Sequence, residues 1–462
     1  MTAASDHYLR ALASPFAPHG DIEVVVTGEG DLASSFAVTD FAAASIAVAG
    51  VAVRRLQAIL GRSDTSPLMV DRRLASWWFL RTFEPIGWTP GPVWDAIAGV
   101  YPTADEGFVR LHTNAPHHRE AALAVLECAP DREAVAAAVA TWPAESLEQA
   151  VVDAGGVAAA CRTREQWRAH PQGMALASEP HVRQRSEPAS PARRANSKAA
   201  SVARPLAGVR VLDLTRVLAG PVSTRFLAGL GADVVRIDPP WWNEPTLGPE
   251  VNLGKRCARL DLREDDDRAR FEALLADADM VVHGYRRDAL AGLGYGPEVR
   301  RRMNPGLVDV SLNAYGHAGP WADRRGFDSI VQIASGVAAA EADASGSDAP
   351  VPLPAQALDH ATGYTMAAAA VTGWAERLVS GHGSTWLTSL AAHAEILCGR
   401  PQGPYGGEVR DPADEDRLGG DEHTPWGPLR RLRFPIQPPS MHLRWDRPAT
   451  DHGTTVDPRW SV

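Results

Sequence analysis

Beyond residue 205 the hydrophobic positions fall into two alternating periods. VRVLDLT (209–215), ADVVRID (232–238), DMVVHGY (279–285) and GLVDVSLNAYG (306–316) are short β-rich runs. STRFLAGLG (223–231) and RARFEALLADA (268–278) carry the helical period between them. Strands alternating with helices of about ten residues predict βαβ units and a parallel sheet. The N-terminal half is less regular. IEVVVTG (22–28) reads as a strand, FAAASIAVAGVAVRRLQAIL (41–60) as a long helix and residues 85–125 as a small α+β unit. Helices follow at REAVAAAVATW (132–142) and AESLEQAVVDAG (144–155). Between the halves, residues 174–204 are rich in Ser, Pro, Ala and Arg without an apolar period, the pattern of a flexible linker.

A faint repeat crosses this division. TDFAAASIAVAGVAVRRL (39–56) parallels LDHATGYTMAAAAVTGWAERL (358–378), and each has a parallel downstream segment, VDRRLASWW (70–78) or LTSLAAHAE (387–395). An aspartate opens each helix: Asp40 in the first, Asp359 in the second.

Composition narrows the class. At 462 residues two domains are expected, and 45% hydrophobic with 22% charged residues is a soluble globular balance. A net charge of −10 argues against a nucleic-acid binder, which needs a basic face. The N-terminal segment does not read as a secretory signal, and IAVAGVAV (46–53) is too short to span a bilayer. The four cysteines are scattered without zinc or redox spacing, so reduced thiols in a cytoplasmic protein are the expectation, with no membrane partner and no metal.

Several candidate motifs carry little. TGEGDLAS (27–34) fits G-x-G-x-x-A but lacks the second strand and acidic residue of a dinucleotide site, so a turn is the better reading. His112, His117 and His118 lack metal-ligand spacing and read as surface or interface residues. There is no G-x-S-x-G elbow and no P-loop.

LAGP (218–221) lies between a strand end and a helix start, where free backbone N–H groups favour an anion. Arg216, Lys255, Arg256, Arg286 and Arg287 are cations able to face phosphates or to form ordinary ion pairs. Asp359 suits a helix N-cap as well as a nucleophile.

The ordered set PLAGVRVLDLTRVLAGPVSTRFLAGLGADVVRID (205–238), LGKRCARLDLR (253–263), ADMVVHGYRRDALAGLGYG (278–296), NPGLVDVSLNAYGHAGPWADRRGFDSIVQIASGVA (304–338) and LPAQALDHATGYTMAAAAVTG (353–373) closely resembles family III CoA-transferases, the CaiB/BaiF group. The resemblance implies an α/β fold, with a Rossmann-like parallel-sheet large domain and a smaller α+β domain. It implies transfer of coenzyme A from an acyl-CoA to a carboxylic acid, with acyl-CoA as substrate rather than a tightly bound cofactor. It makes Asp359 the catalytic nucleophile, and Arg216, Ala219, Gly220, Lys255, Arg256, Tyr285 and Arg286 the coenzyme A contacts. HGYRR (283–287) stands where the family usually has N-F-R-P-G. Racemases of the same superfamily place a histidine in the segment matching RGFDS; here that position is Phe327, which favours transfer. Intramolecular CoA transfer and a non-catalytic acyl-CoA-binding partner subunit remain alternatives. Typical members are homodimers, and a homodimer is expected.

The order of segments departs from the family's. Residues 81–173 resemble its small domain but precede the large one. The expected organisation is a partial repeat of the Asp-helix region (1–80), a small-domain-like unit (81–173), the linker (174–204), the Rossmann-like large domain (205–400) and a polar, Pro-rich tail returning to it (401–462).

Overall fold

The computed structural model describes residues 2–16, 22–61, 66–186, 200–201, 203–285, 287–403, 407–436 and 441–461, without the side chains of Arg287 and Asp288. A seven-stranded sheet organises the C-terminal half. Its spatial order is Arg256–Arg259, Asp233–Asp238, Arg210–Leu214, Met280–His283, Val308–Asn313, Ser384–Ser389 and Val182–Ser186. The first six are parallel, and the last is antiparallel at the edge. In chain order the parallel strands run third, second, first, fourth, fifth, sixth. The sheet therefore reverses direction between Arg210–Leu214 and Met280–His283, the place where such sheets open a ligand crevice at their C-terminal ends.

The strand side chains explain why both faces are covered. Val211, Val234, Val282 and Val310 join the large core on one face, beneath helices Ala219–Gly229 and Ala357–Ser380. Leu212, Val235, Ile237 and Val281 face the other way, onto Phe271, Leu274 and Leu275 of helix Asp265–Asp277. Two-sided burial of this kind is what apolar parallel strands require.

The N-terminal segment has the same local architecture as the end of the large domain. Strand Val24–Thr27, helix Val38–Ile59, strand Leu68–Asp71 and helix Arg72–Leu80 match, in order, Val308–Asn313, Ala357–Ser380, Ser384–Ser389 and Leu390–Cys398. Each strand pair is parallel. The residue before each long helix has the same backbone, φ −75° and ψ 61° at Ala37 against φ −76° and ψ 64° at Gln356. Asp40 and Asp359 are each the third helical residue. The two long helices pack on one another, with alanines on both sides permitting close approach. Helix Val38–Ile59 is long and apolar enough to cross a membrane, but most of it is buried in this core.

Residues between these parts form a compact α+β unit. Strands Gly99–Pro102, Phe108–Leu111 and Ala158–Ala160 are antiparallel, and helices Pro116–Leu126, Arg132–Val139 and Ala144–Asp153 close a separate core around Val109, Leu111, Val135 and Leu147.

The span read as a linker, 174–204, needs correction. It holds the end of helix Pro171–Ala177 and the edge strand Val182–Ser186. Only Val182 of that strand is buried, while Arg183, Gln184, Arg185 and Ser186 are exposed. Its backbone pairs with Ser384–Ser389 although its side chains are polar, as edge strands often are. A sequence period cannot register such pairing. Residues 187–199 lie outside the described residues. The tail runs back over the large domain, where Trp445 Nε1 donates to the Arg225 carbonyl (2.9 Å) and Trp460 Nε1 to that of Leu274 (3.1 Å).

Helix Ala357–Ser380 reaches helix Ala219–Gly229 at Gly363. A Cβ there would lie 2.4 Å from the Ala219 carbonyl oxygen and 2.9 Å from Val222 Cβ. Backbone cannot move aside as a side-chain tip can, so Gly363→Ala is expected to cost about 1–3 kcal/mol in a denaturant melt.

Candidate active site

Asp359 and Gly363 are one turn apart on the same helix, so both lie on the face that meets the first turn of helix Ala219–Gly229. Asp359 is nearly buried, at 6% exposure. It is not the cap of its helix. Asp328, the first residue of helix Asp328–Ala334, performs that task from outside: its Oδ2 accepts the Asp359 backbone N–H at 2.8 Å, and its carboxylate also accepts the N–H of Leu358. The Asp328 Oδ1 takes a further bond from Gln332 Nε2, while Gln332 Oε1 is fixed by the Leu353 N–H (2.8 Å). The Asp359 carboxyl is left without a capping role beside a second carboxyl.

Burial first, and then the Asp328 charge, raise the Asp359 pKa well above the usual carboxylate range. Burial likewise pushes Asp328 up, to about 6, against the bonds it accepts. Donors converge on Asp328, so the shared proton resides on Asp359. Both groups hold protons more tightly folded than unfolded. Stability therefore falls as pH rises from the unfolded value near ~3.9 through the raised folded values. Asp328→Asn removes the neighbouring charge, and the acidic limb of the pH–rate profile is expected to move to lower pH, measured as kcat/KM between pH 4 and 9.

Its counterpart in the repeat is differently placed. Asp40 Oδ1 accepts the hydroxyls of Thr2 (2.8 Å) and Ser5 (2.5 Å) and lies 3.3 Å from Arg72 Nη2. That carboxylate is engaged in holding helix Ala3–Ala13 and the start of helix Arg72–Leu80 together. Of the two aspartates, Asp359 is the one whose carboxyl is not engaged in an ion pair or a short hydroxyl bond of this kind.

The turn leading to the Ala219 helix is strained. Val217 adopts a left-handed backbone (φ 64°), uncommon for a β-branched residue, and its N–H donates to Glu244 Oε1 at 2.6 Å. Ala219 and Gly220 open the helix without a side-chain cap, and Pro221 has no N–H. Gly220 is required there, because a Cβ would lie 2.3 Å from the Thr215 side chain.

A crevice of about 230 Å³ opens at the switch in strand order, between Leu214, Asp238, Leu262 and Tyr285. Arg216 lies inside it, its guanidinium 4.5 Å from the Trp242 ring and 4.9 Å from that of Tyr285, donating to Tyr285 Oη at 2.9 Å. Trp241, 61% exposed and covered on one side by Arg263, stands at the rim.

The remaining cations expected at this site are elsewhere. Lys255 is fully buried, its Nζ 2.9 Å from Asp213 Oδ2 and 3.1 Å from the Pro221 carbonyl, so it ties strand to helix and faces no external phosphate. Arg256 stands at the start of its strand, the end opposite the crevice, paired with Asp233 at 2.7 Å. Arg286 lies outside the described residues. His283, at the altered family segment, is buried beside Asp309 (3.2 Å) and Arg300. Among the described residues no cluster of potential metal ligands occurs.

Residues that sequence reasoning passed over complete the site. Asp328 follows Phe327 inside RGFDS, where no spacing rule marks it as a helix-capping group. His112 is no surface residue: it stacks on Phe327 at 3.9 Å, and His118 meets the same ring edge-on at 5.8 Å. Arg110, on strand Phe108–Leu111, sends its charge to Asp328. The small unit is thus docked against the helix that carries Asp328, within one chain.

Residues 206–429 match CoA-transferase family III. The succinate–glutarate CoA-transferase of Agrobacterium fabrum is 37% identical over 151 residues, covering 29% of this chain and 38% of that protein. The human succinyl-CoA:glutarate CoA-transferase is 31% identical over 193 residues, 39% of this chain and 44% of that one. The crystal structure of Rv3272 from Mycobacterium tuberculosis aligns with 43% of this chain and 57% of its own at 28% identity, with a TM-score of 0.39. The chain spans about a third to a half of the length of the curated relatives it matches. Over residues 206–429, this chain is similar to CoA-transferase family III.

Proposed function

We propose that the chain moves coenzyme A from an acyl-CoA to a free carboxylic acid, with Asp359 as the nucleophile. The observation that carries this reading is a nearly buried carboxyl, relieved of helix capping by Asp328 and lying on the face that meets an uncapped helix start. An Asp359 carboxylate oxygen attacks the thioester carbonyl and expels the coenzyme A thiolate, giving a mixed anhydride. The thiolate then attacks the aspartyl carbonyl and releases the donor acid, leaving an aspartyl-CoA thioester. The acceptor carboxylate attacks that thioester, and the freed thiolate takes the new acyl group, restoring the Asp359 carboxylate. The N–H groups of Ala219 and Gly220 are suited to the developing oxyanion. The crevice at Arg216 and Tyr285, with Trp241 on its rim, is suited to the adenosine end of coenzyme A.

A homodimer in the cytoplasm, with no tightly bound cofactor, belongs to the same proposal. The test is steady-state transfer of coenzyme A from acetyl-CoA, succinyl-CoA and hexanoyl-CoA to a panel of acids. Transfer by the parent chain supports the reading. Acyl-CoA binding without transfer to any acid favours a partner-subunit role.

A further inference from the structure

The turn that leads into helix Ala219–Gly229 is strained, and the proposed transfer alone does not account for that strain. Val217 keeps a left-handed backbone, φ 64°, in which a branched Cβ crowds the following carbonyl. Such a conformation persists only where its surroundings over-determine it, and it gathers at functional sites. Here the turn is gripped at two points. Thr215 is fixed by the buried Asp213 carboxylate through its N–H (2.9 Å) and its hydroxyl (2.6 Å). Two residues on, the Val217 N–H donates to Glu244 Oε1 at 2.6 Å.

Glu244 is itself held firmly. It is nearly buried, and its Oε2 accepts from Arg236 Nη2 at 2.8 Å. Arg236, fully buried on strand Asp233–Asp238, also donates to Asp238 (2.8 Å) and to Asn252 (2.9 Å). The Glu244 carbonyl closes a turn by accepting the N–H groups of Leu247 and Gly248, both at 3.1 Å. One carboxylate thus spans from the sheet to the strained turn, with Oε2 on Arg236 and Oε1 on Val217. The helix begins two residues later, at Ala219, and no side chain caps it. The anchored Val217 peptide therefore fixes the direction in which the free N–H groups of that first turn point. The Asp359 helix meets this same turn at Gly363.

We infer that Glu244 is a positioning residue for the transfer: by holding Val217 left-handed, it aims the first N–H groups of helix Ala219–Gly229 at the reacting thioester. The inference rests on the CoA-transfer reading, which gives those N–H groups their role. The effect of Glu244 falls on turnover rather than on binding. Glu244 does not line the crevice, and the intervening Arg216 has its own hold there through Tyr285 Oη (2.9 Å).

The test is a cycle of full-length Glu244→Ala, Val217→Gly and the double variant, assayed by steady-state transfer from the acyl-CoA that the parent chain uses best. All assays are run well below each protein's melting transition. Glu244→Ala is expected to lower kcat about 10²-fold, the scale of a small misplacement of catalytic groups, with KM within about threefold of the parent. Glycine enters the left-handed region at little cost, so adding Val217→Gly should recover at least about tenfold of the lost kcat. Glu244→Gln keeps an oxygen for the Val217 N–H and should retain more turnover than Glu244→Ala. If Glu244→Ala does not fold, Glu244→Asp, which keeps a charge for Arg236 but is one methylene shorter, takes its place in the cycle. A Glu244 that matters only through Arg236 cannot be mended at Val217, so no recovery in the double variant overturns the inference. A raised KM at unchanged kcat overturns it as well, placing Glu244 in support of the crevice. Hydrogen exchange over residues 215–222 reads the same hold without turnover: it should quicken in Glu244→Ala, and unchanged exchange contradicts the assignment. Transfer by the parent with kcat indifferent to Glu244→Ala sinks this inference alone. A parent chain that transfers to no acid sinks the transfer reading, and with it the role given to Glu244.

Discussion

Asp359→Ala is expected to lower the transfer rate by at least about 10⁴-fold, the scale of removing a covalent nucleophile, while acyl-CoA affinity holds. The affinity is expected to hold because the crevice at Arg216 and Tyr285 is not lined by Asp359. Stability should move the opposite way to activity. The folded protein binds protons on the Asp328–Asp359 pair more tightly than the unfolded chain does, so well above the unfolded carboxylate range the pair is destabilising. Asp359→Asn should therefore unfold at higher denaturant than the parent at pH 8, with the difference closing as the pH falls toward 4. Equal loss of activity and stability would instead make Asp359 an ordinary packing residue.

The second large effect is expected at Lys255, and it is structural. Lys255 and Asp213 are both fully buried and 2.9 Å apart. Asp213 also accepts from the Thr215 backbone (2.9 Å), Thr215 Oγ1 (2.6 Å) and Thr224 Oγ1 (2.6 Å). Lys255→Met leaves that carboxylate without its cation, and breaking one side of a buried pair costs about 3–5 kcal/mol. The change should appear in a urea melt, while KM for acyl-CoA, measured well below the transition, stays unchanged. Adding Asp213→Leu should recover much of the loss, because the stranded charge is then gone. A raised KM at unaltered stability would restore Lys255 to the coenzyme A site.

Much of the architecture was legible because it is written in local periods. The strand read at 209–215 is Arg210–Leu214, and the long helix read at 41–60 is Val38–Ile59. The Asp40/Asp359 echo corresponds to two strand–helix–strand–helix segments with the same helix entry. What escaped depends on three-dimensional pairing. Edge strand Val182–Ser186 has polar side chains and is held by its backbone, so composition made it a linker. Lys255 and Arg256 looked free because their partners, Asp213 and Asp233, lie 42 and 23 positions away. Asp328 acts through backbone N–H groups of a helix 31 positions downstream, a contact that no spacing rule encodes. Arg110 carried a readable sign, a charge between Val109 and Leu111, but its target lies in another unit of the fold.

The central claim is that Asp359 becomes covalently activated. Intact-protein mass spectrometry after incubation with a panel of acyl-CoAs and hydroxylamine, followed by peptide mapping, tests it most directly, since hydroxylamine converts an activated carboxylate into a stable hydroxamate. The account predicts a hydroxamate on Asp359, absent without acyl-CoA, and none on Asp40, whose carboxylate is held by Thr2, Ser5 and Arg72. A label on Asp40, or an unmodified Asp359 in protein that demonstrably binds acyl-CoA, would contradict it.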